Sequence, residues 1–345
     1  MQDGNYTSAK VWFLPQEVII QPMEEEPLVS IVTPSYNQGA FLEETIRSVI
    51  DQNYPNLEHW VIDGGSSDNS LNIIKDYQHH LTGWVSEKDS GQADAINKGF
   101  AKVNGEIVAW LNSDDIYYPG AIRQAVQAFR EHPEASFVYS DVESIDAEGK
   151  PFHLMHYGDW KLADLMAFNI IGQPGVFMRR VVLEQAGYLD LSYHFLLDVQ
   201  LWLKMAVLAE PFYVHDAVWA GARLHADAKN AAQVTGFGPE AFRVAKWLCD
   251  DPAFYPLSGE IFKDIWAGAH RINAFYQVEA RNYGEALRSY AKMYRYKPTG
   301  SPRTFRRMVF ALLGYLGFEK LRAPYERLRA KTYCWRCGKN GNQHG

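Results

Sequence analysis

From Leu28 onward, short apolar runs alternate with segments whose apolar residues recur every three or four positions. "LVSIVTP" (28–34) is rich in β-branched residues and closed by a proline, the pattern of a buried strand. "NQGAFLEETIRSVIDQ" follows, with Phe41, Leu42, Ile46, Val49 and Ile50 at helical spacing. The alternation continues with a strand at "LEHWVID", a helix opened by "SSDNSLNIIKDY" with Ser and Asp at capping positions, and a short strand at "GWVSEKD". A helix at "GQADAINKGFAKV" and a strand at "EIVAWLN" complete this first series. Further on, the pattern predicts a strand pair in "ASFVYSDVESID" and a helix broken near Gly187. It then predicts one or two strands followed by a polar loop in "FYVHDAVWAGARLHADAKN". From about Glu240 it turns helical, and residues 272–298 read as a helical hairpin turning at Asn282 to Gly284.

Strands that alternate with helices at this spacing form a mostly parallel sheet covered by helices on both faces, an α/β, Rossmann-like class. Ligands of such sheets bind at the carboxyl ends of the strands. Asp63, Asp89, Asp114 and Asp115 all fall at or just after such ends. Two adjacent carboxylates in "NSDD" suit a hard divalent ion with a taste for oxygen ligands. A turn capping the helix that starts near Pro119 would explain them equally well.

Composition narrows the class. Hydrophobic residues make up 47% and charged residues 22%, ordinary for a soluble globular chain, and a net charge of -7 gives no reason to expect a nucleic-acid protein. That average hides an asymmetry: residues 286–345 carry about twelve more basic than acidic side chains, leaving roughly -19 for the rest. No secretory signal or run of transmembrane length is visible, and three cysteines fit a reducing compartment, so a cytoplasmic protein is expected. The "CWRC" pair at Cys334 and Cys337 lacks a second pair to complete a zinc site, and "HLMH" (153–156) is equally thin.

Four motifs change the picture together: "TPSYN" (33–37), "VIDGGSSD" (61–68), "EKDSGQADAINKG" (87–99) and "NSDDIYYPGAI" (112–122). In this order and spacing they resemble the nucleotide-sugar-binding half of family 2 glycosyltransferases, inverting enzymes of the GT-A fold, over about residues 28 to 230. The resemblance implies that Thr33, Pro34 and Tyr36 lie along the nucleoside and that Asp63 accepts from a pyrimidine base. It implies that Asp89 and Lys98 frame ribose and phosphates, and that Asp114 binds a divalent metal, Mn2+ or Mg2+. Asn112 stands where the family's Asp-x-Asp signature usually begins, which leaves Asp115 as a further donor-side carboxylate. "FLLDVQLWLK" resembles the helix bearing the catalytic base, which implies that Asp198 takes the acceptor's proton; capping that helix is the plainer alternative. Arg223 matches a phosphate contact and His225 a metal contact in a loop after the last strand. Gln173, Pro174 and Gly175 match the acceptor side, although Pro-Gly also makes a turn on its own account.

The reading that follows is a metal-dependent inverting glycosyltransferase using a UDP- or dTDP-sugar donor. Its acceptor would be a saccharide or lipid-linked saccharide in bacterial polysaccharide or glycolipid assembly. A binding scaffold without turnover is the alternative, raised by Asn112. A sugar nucleotidyltransferase is less well supported, because "TPSYNQG" has one glycine where a phosphate loop needs several. The expected organisation is a leader (1–27), a catalytic domain (28–235), a helical extension (236–300) and a basic tail (301–345). That tail, with Arg303, Arg306 and Arg307 before an apolar stretch, suits either an anionic membrane surface or packing on the catalytic domain.

Overall fold

The computed structural model describes residues 24–225 and 233–318. The first half is the expected alternation: β1 (Val29–Ser35), α1 (Leu42–Ile50), β2 (Leu57–Asp63), α2 (Ser70–Tyr77), β3 (Gly83–Ser86), α3 (Gln92–Phe100) and β4 (Ile107–Trp110). These four strands pair in parallel in the order β3-β2-β1-β4. Every residue of β1 is buried, because the strand is covered on both faces. α3 packs so tightly on it that a Cβ at Gly99 would lie 2.3 Å from Val32 Cγ1. Register aligns the strand ends: Ser35 is opposite Asp63, and Asp63 is opposite Ser86. One row of polar residues therefore closes the carboxyl edge.

The second half is mixed. After β5 (Ile116–Tyr117) and α4 (Ala121–Glu131) come β6 (Phe137–Ile145), β7 (Pro151–Met155), α5 (Leu162–Met166) and β8 (Val176–Arg179). Then follow α6 (Arg180–Ala186), α7 (Leu197–Leu208) and β9 (Phe212–Arg223). β8 is antiparallel to both β4 and β6, β9 is parallel to β6, and β5 is antiparallel to β9, so one nine-stranded sheet runs through both halves. The expected strand pair near residue 140 is a correction: β6 is one nine-residue strand whose antiparallel partner, β7, follows a turn. The helix break at Gly187 lies where the pattern put it, with φ 77° at the C-cap, a conformation that suits glycine.

α7 is tied to the sheet by aromatics. Trp202 stacks on Trp110 of β4 with centroids 5.3 Å apart and lies 5.2 Å from Phe137. Such pairs add about 1 kcal/mol beyond their burial. Helices at Phe237–Asp250, Phe262–Glu279, Tyr283–Tyr296 and Pro302–Tyr315 complete the described chain, and the hairpin turns at 280–282. Glu240 reaches back from the first of them and accepts from the backbone N–H groups of His194, Phe195 and Leu196 at 2.7, 2.8 and 2.8 Å. It thereby holds the entry to α7. Among the described residues, no helix is long and apolar enough to cross a membrane. The "CWRC" pair and the basic residues beyond 318 lie outside the described residues.

Candidate active site

At the end of β2, Asp63 has no exposed surface. Its Oδ2 accepts from Gly65 N (3.1 Å), Ser66 N (3.0 Å) and Ser86 Oγ (2.7 Å), and its Oδ1 accepts from Ser66 Oγ at 2.5 Å. The carboxylate thus ties the turn after β2 to the end of β3. Asn37, in the left-handed region at φ 53°, bridges the turns after β1 and β2: its N–H donates to Ser66 Oγ and its Oδ1 accepts from Ser67 N, both at 2.8 Å. Thr33 and Pro34 lie in the floor beneath. The Thr33 hydroxyl is 2.9 Å from His59 Nε2, and burial pushes the His59 pKa down to about 3. Tyr36, by contrast, is 60% exposed.

Asp89 turns inward, accepting from Gly91 N at 2.9 Å in front of α3. Gly64 is required beside it, since a Cβ there would come within 2.4 Å of Asp89 Oδ2. Lys98 pairs with Glu87 at 2.9 Å and Asp94 at 3.5 Å, and these partners raise its pKa.

The end of β4 is built differently. Asn112 Oδ1 accepts from Gln92 at 2.8 Å, while its amide N–H group donates to Asp115 Oδ2 (3.1 Å) and Gln173 Oε1 (3.0 Å). An aspartate in its place could donate neither bond, so the departure from the usual signature supplies the N–H that the buried Asp115 needs. Burial and then the neighbouring Asp114 push the Asp115 carboxyl well above the usual range, while the Arg223 backbone N–H and Asn112 oppose the shift. Asp114, part-buried, brings its Oδ2 within 3.1 Å of His225 Nε2, whose ring packs 4.7 Å from Phe41. Arg223 is fully engaged: Nε donates to Asp114 O (2.8 Å), the terminal nitrogens to Asp146 O, Ala147 O and Glu44, and its side chain has no exposed surface. It therefore braces the Asp114 backbone.

Gln173 joins this edge to the acceptor side by donating to Trp110 O at 2.7 Å. Gly175 lies flat on β6, where a Cβ would be 2.6 Å from Val142 Cγ2, and Pro174 is buried with it. Asp198 stands in the first turn of α7, one turn from the Trp202 that stacks on β4. On β6, Asp141 accepts from Tyr213 OH (2.7 Å) and Tyr157 N (3.0 Å) and lies 2.7 Å from His156 Nδ1, giving the sparse "HLMH" motif one anchored member.

Sequence reasoning assigned no role to Gln92, Phe41, Glu44 or Glu240. Their partners are 20 to 184 positions distant, and no local pattern announces such pairings. Asn37 and Ser66 sat inside quoted motifs, and the turn-forming chemistry of "SYN" and "GGSS" was their signal.

Residues 30–180 match the model of glycosyl transferase family 2. An uncharacterised glycosyltransferase of Rickettsia typhi is 28% identical over 201 residues, covering 56% of this chain and 63% of the relative. TuaG of Bacillus subtilis, named for teichuronic acid biosynthesis, is 29% identical over 188 residues, covering 52% of this chain and 72% of that protein. Among solved structures, Pyrobaculum calidifontis mannosyltransferase PcManGT with GDP-Man and Mn2+ aligns at TM-score 0.58 and 20% identity, covering 93% of this chain and 88% of that one. S. aureus TarS residues 1–349 with UDP-GlcNAc aligns at 0.54 and 14%, covering 78% and 89%. Residues 30–180 thus match glycosyl transferase family 2, on a sheet of the same fold as these solved structures, and the chain spans under two thirds of the length of the Rickettsia relative.

Proposed function

We propose that the chain moves a sugar from a nucleotide diphosphate donor to a hydroxyl acceptor, with inversion at the anomeric carbon, in assembly of a bacterial polysaccharide or glycolipid. The observation that carries this reading is the approach of Asp114 to His225 at the carboxyl edge of β4, beside the Asn112, Asp115 and Gln173 network. The name of TuaG supports the polysaccharide setting.

In this reading Tyr36 offers its exposed ring to the nucleoside, with Thr33 and Pro34 as the floor. Asp63 acts through the loop it ties, presenting Gly65 and Ser66 to the base, and Asp89 with Lys98 frames the ribose and phosphates. Asp114 and His225 provide one carboxylate and one imidazole. No group of three protein ligands exists among the described residues, but a two-ligand set fits an ion that completes its shell with diphosphate oxygens and water. A bound Mn2+ or Mg2+ supplies positive charge against the departing diphosphate. Arg223 braces the Asp114 backbone, and Gln173, Pro174 and Gly175 wall the acceptor side. Asp198 takes the acceptor's hydroxyl proton as that oxygen bonds to the anomeric carbon and the bond to the diphosphate oxygen breaks.

The test is thermal stability against UDP, dTDP and GDP, each with and without Mn2+, since the solved neighbours hold a pyrimidine and a purine donor. A selective ligand at a hundredfold excess over its dissociation constant stabilises by about 3 kcal/mol. One nucleotide is expected to stabilise strongly, and only with metal; no response to any would remove the donor site. Asp198→Asn is expected to keep that response and lose turnover.

A further inference from the structure

The helix Pro302–Tyr315 is amphipathic in an unusual sense. The face it turns to the protein carries Thr304 and Ala311, both buried, with Met308 and Phe310 packed beside them, and Gly314 lies so close to Tyr283 that a Cβ would be 2.6 Å from the ring. The opposite face carries Phe305, Val309, Leu312 and Leu316, at intervals of four, three and four residues, which place all four on one stripe. They are 54, 38, 46 and 59% exposed. Of the thirteen large apolar side chains exposed among the described residues, six lie between Phe305 and Phe318.

The charge around this stripe is one-sided. Arg303 and Arg306 are exposed beside it, and residues 281–318 hold eight basic side chains against one acidic, Glu285. By sequence alone, residues 319–345 add seven basic and two acidic. A second copy seated on the stripe would bring two such cationic surfaces together. An anionic lipid surface meets both the apolar stripe and its charge.

We propose that this helix lies on an anionic membrane surface, with Phe305, Val309, Leu312 and Leu316 in the acyl boundary and Arg303 and Arg306 against the headgroups. The inference does not depend on glycosyl transfer. The experiment is co-sedimentation of the full chain with vesicles of phosphatidylcholine mixed with phosphatidylglycerol, and with vesicles of phosphatidylcholine alone. Wild type is expected to bind the mixed vesicles and to bind neutral ones far more weakly. Each basic residue near such a surface contributes about fivefold in affinity, so Arg303→Glu/Arg306→Glu should weaken binding by about 25-fold or more. Phe305→Ser/Leu312→Ser should weaken it more than about tenfold. Both pairs are exposed, so unchanged thermal stability is the expected control. Failure of wild type to bind, or equal binding by wild type and both variants, overturns the proposal. So does a lipid-free dimer that Phe305→Ser/Leu312→Ser dissociates, which would give the face to a second copy.

Discussion

The ends of β2 and β4 both present aspartate at the carboxyl edge of the same sheet, and the two are used in opposite ways. Asp63 is sealed in, with four donors on two oxygens. Asp114 is partly open and faces an imidazole. What separates them is the turn that follows. "GGSS" offers two backbone N–H groups and a hydroxyl within three residues of Asp63, so the carboxylate is consumed locally. At the end of β4, Asp115 takes the local Asn112 amide and the distant Arg223 N–H instead, leaving Asp114 for His225, two residues past β9. How far a strand-end carboxylate is engaged thus depends on how many donors its own turn supplies.

The contrast is broken first at Asp63. Asp63→Ala would strand the Gly65 and Ser66 N–H groups and two hydroxyls, at about 3–5 kcal/mol of stability. Urea midpoints measure it, and a loss below about 1 kcal/mol would mean that water satisfies the turn as well as the carboxylate does. Asn112→Asp comes next. It replaces an N–H donor with a third carboxylate beside Asp115, and a loss of about 2–4 kcal/mol is expected. A neutral result would show that Asp115 does not depend on that donor.

A smaller effect concerns the floor of the β2 side. Burial lowers the His59 pKa to about 3, while the unfolded chain titrates near 6.5. The unfolded state therefore binds the extra proton, and the stability contribution present above pH 6.5 is lost as pH falls toward 3. The slope approaches about 1.4 kcal/mol per pH unit inside that window. His59→Gln is expected to flatten the wild-type stability curve there, and unchanged curves would place the ring in contact with solvent.

Much of this was legible in sequence and some was not, for identifiable reasons. The parallel half announces itself because short β-branched, apolar-rich strands alternate regularly with helices that show their period. The mixed half does not. β8 is four buried residues without alternation, and its antiparallel placement between β4 and β6 depends on chain path alone. In the site, motif order brought Asp114, Asp115 and His225 to notice. Which oxygens remained accessible was invisible, because Arg223 spends its donors on Glu44 and two carbonyls far away in sequence. Asn112 looked like a defect in the signature until its amide was seen to serve Asp115.

The smallest effect on stability carries the central claim. Asp114→Ala is expected to cost about 1 kcal/mol, since it removes a single part-buried contact, the one with His225, yet to abolish the metal site. The most direct measurement is Mn2+ binding followed by electron paramagnetic resonance, with UDP or GDP present, for wild type, Asp114→Ala and His225→Gln. Wild type is expected to bind Mn2+ in the presence of one of the nucleotides, with each variant weaker by about tenfold or more. Variants that bind Mn2+ and nucleotide as tightly as wild type would contradict the assignment of Asp114 and His225 to the donor site.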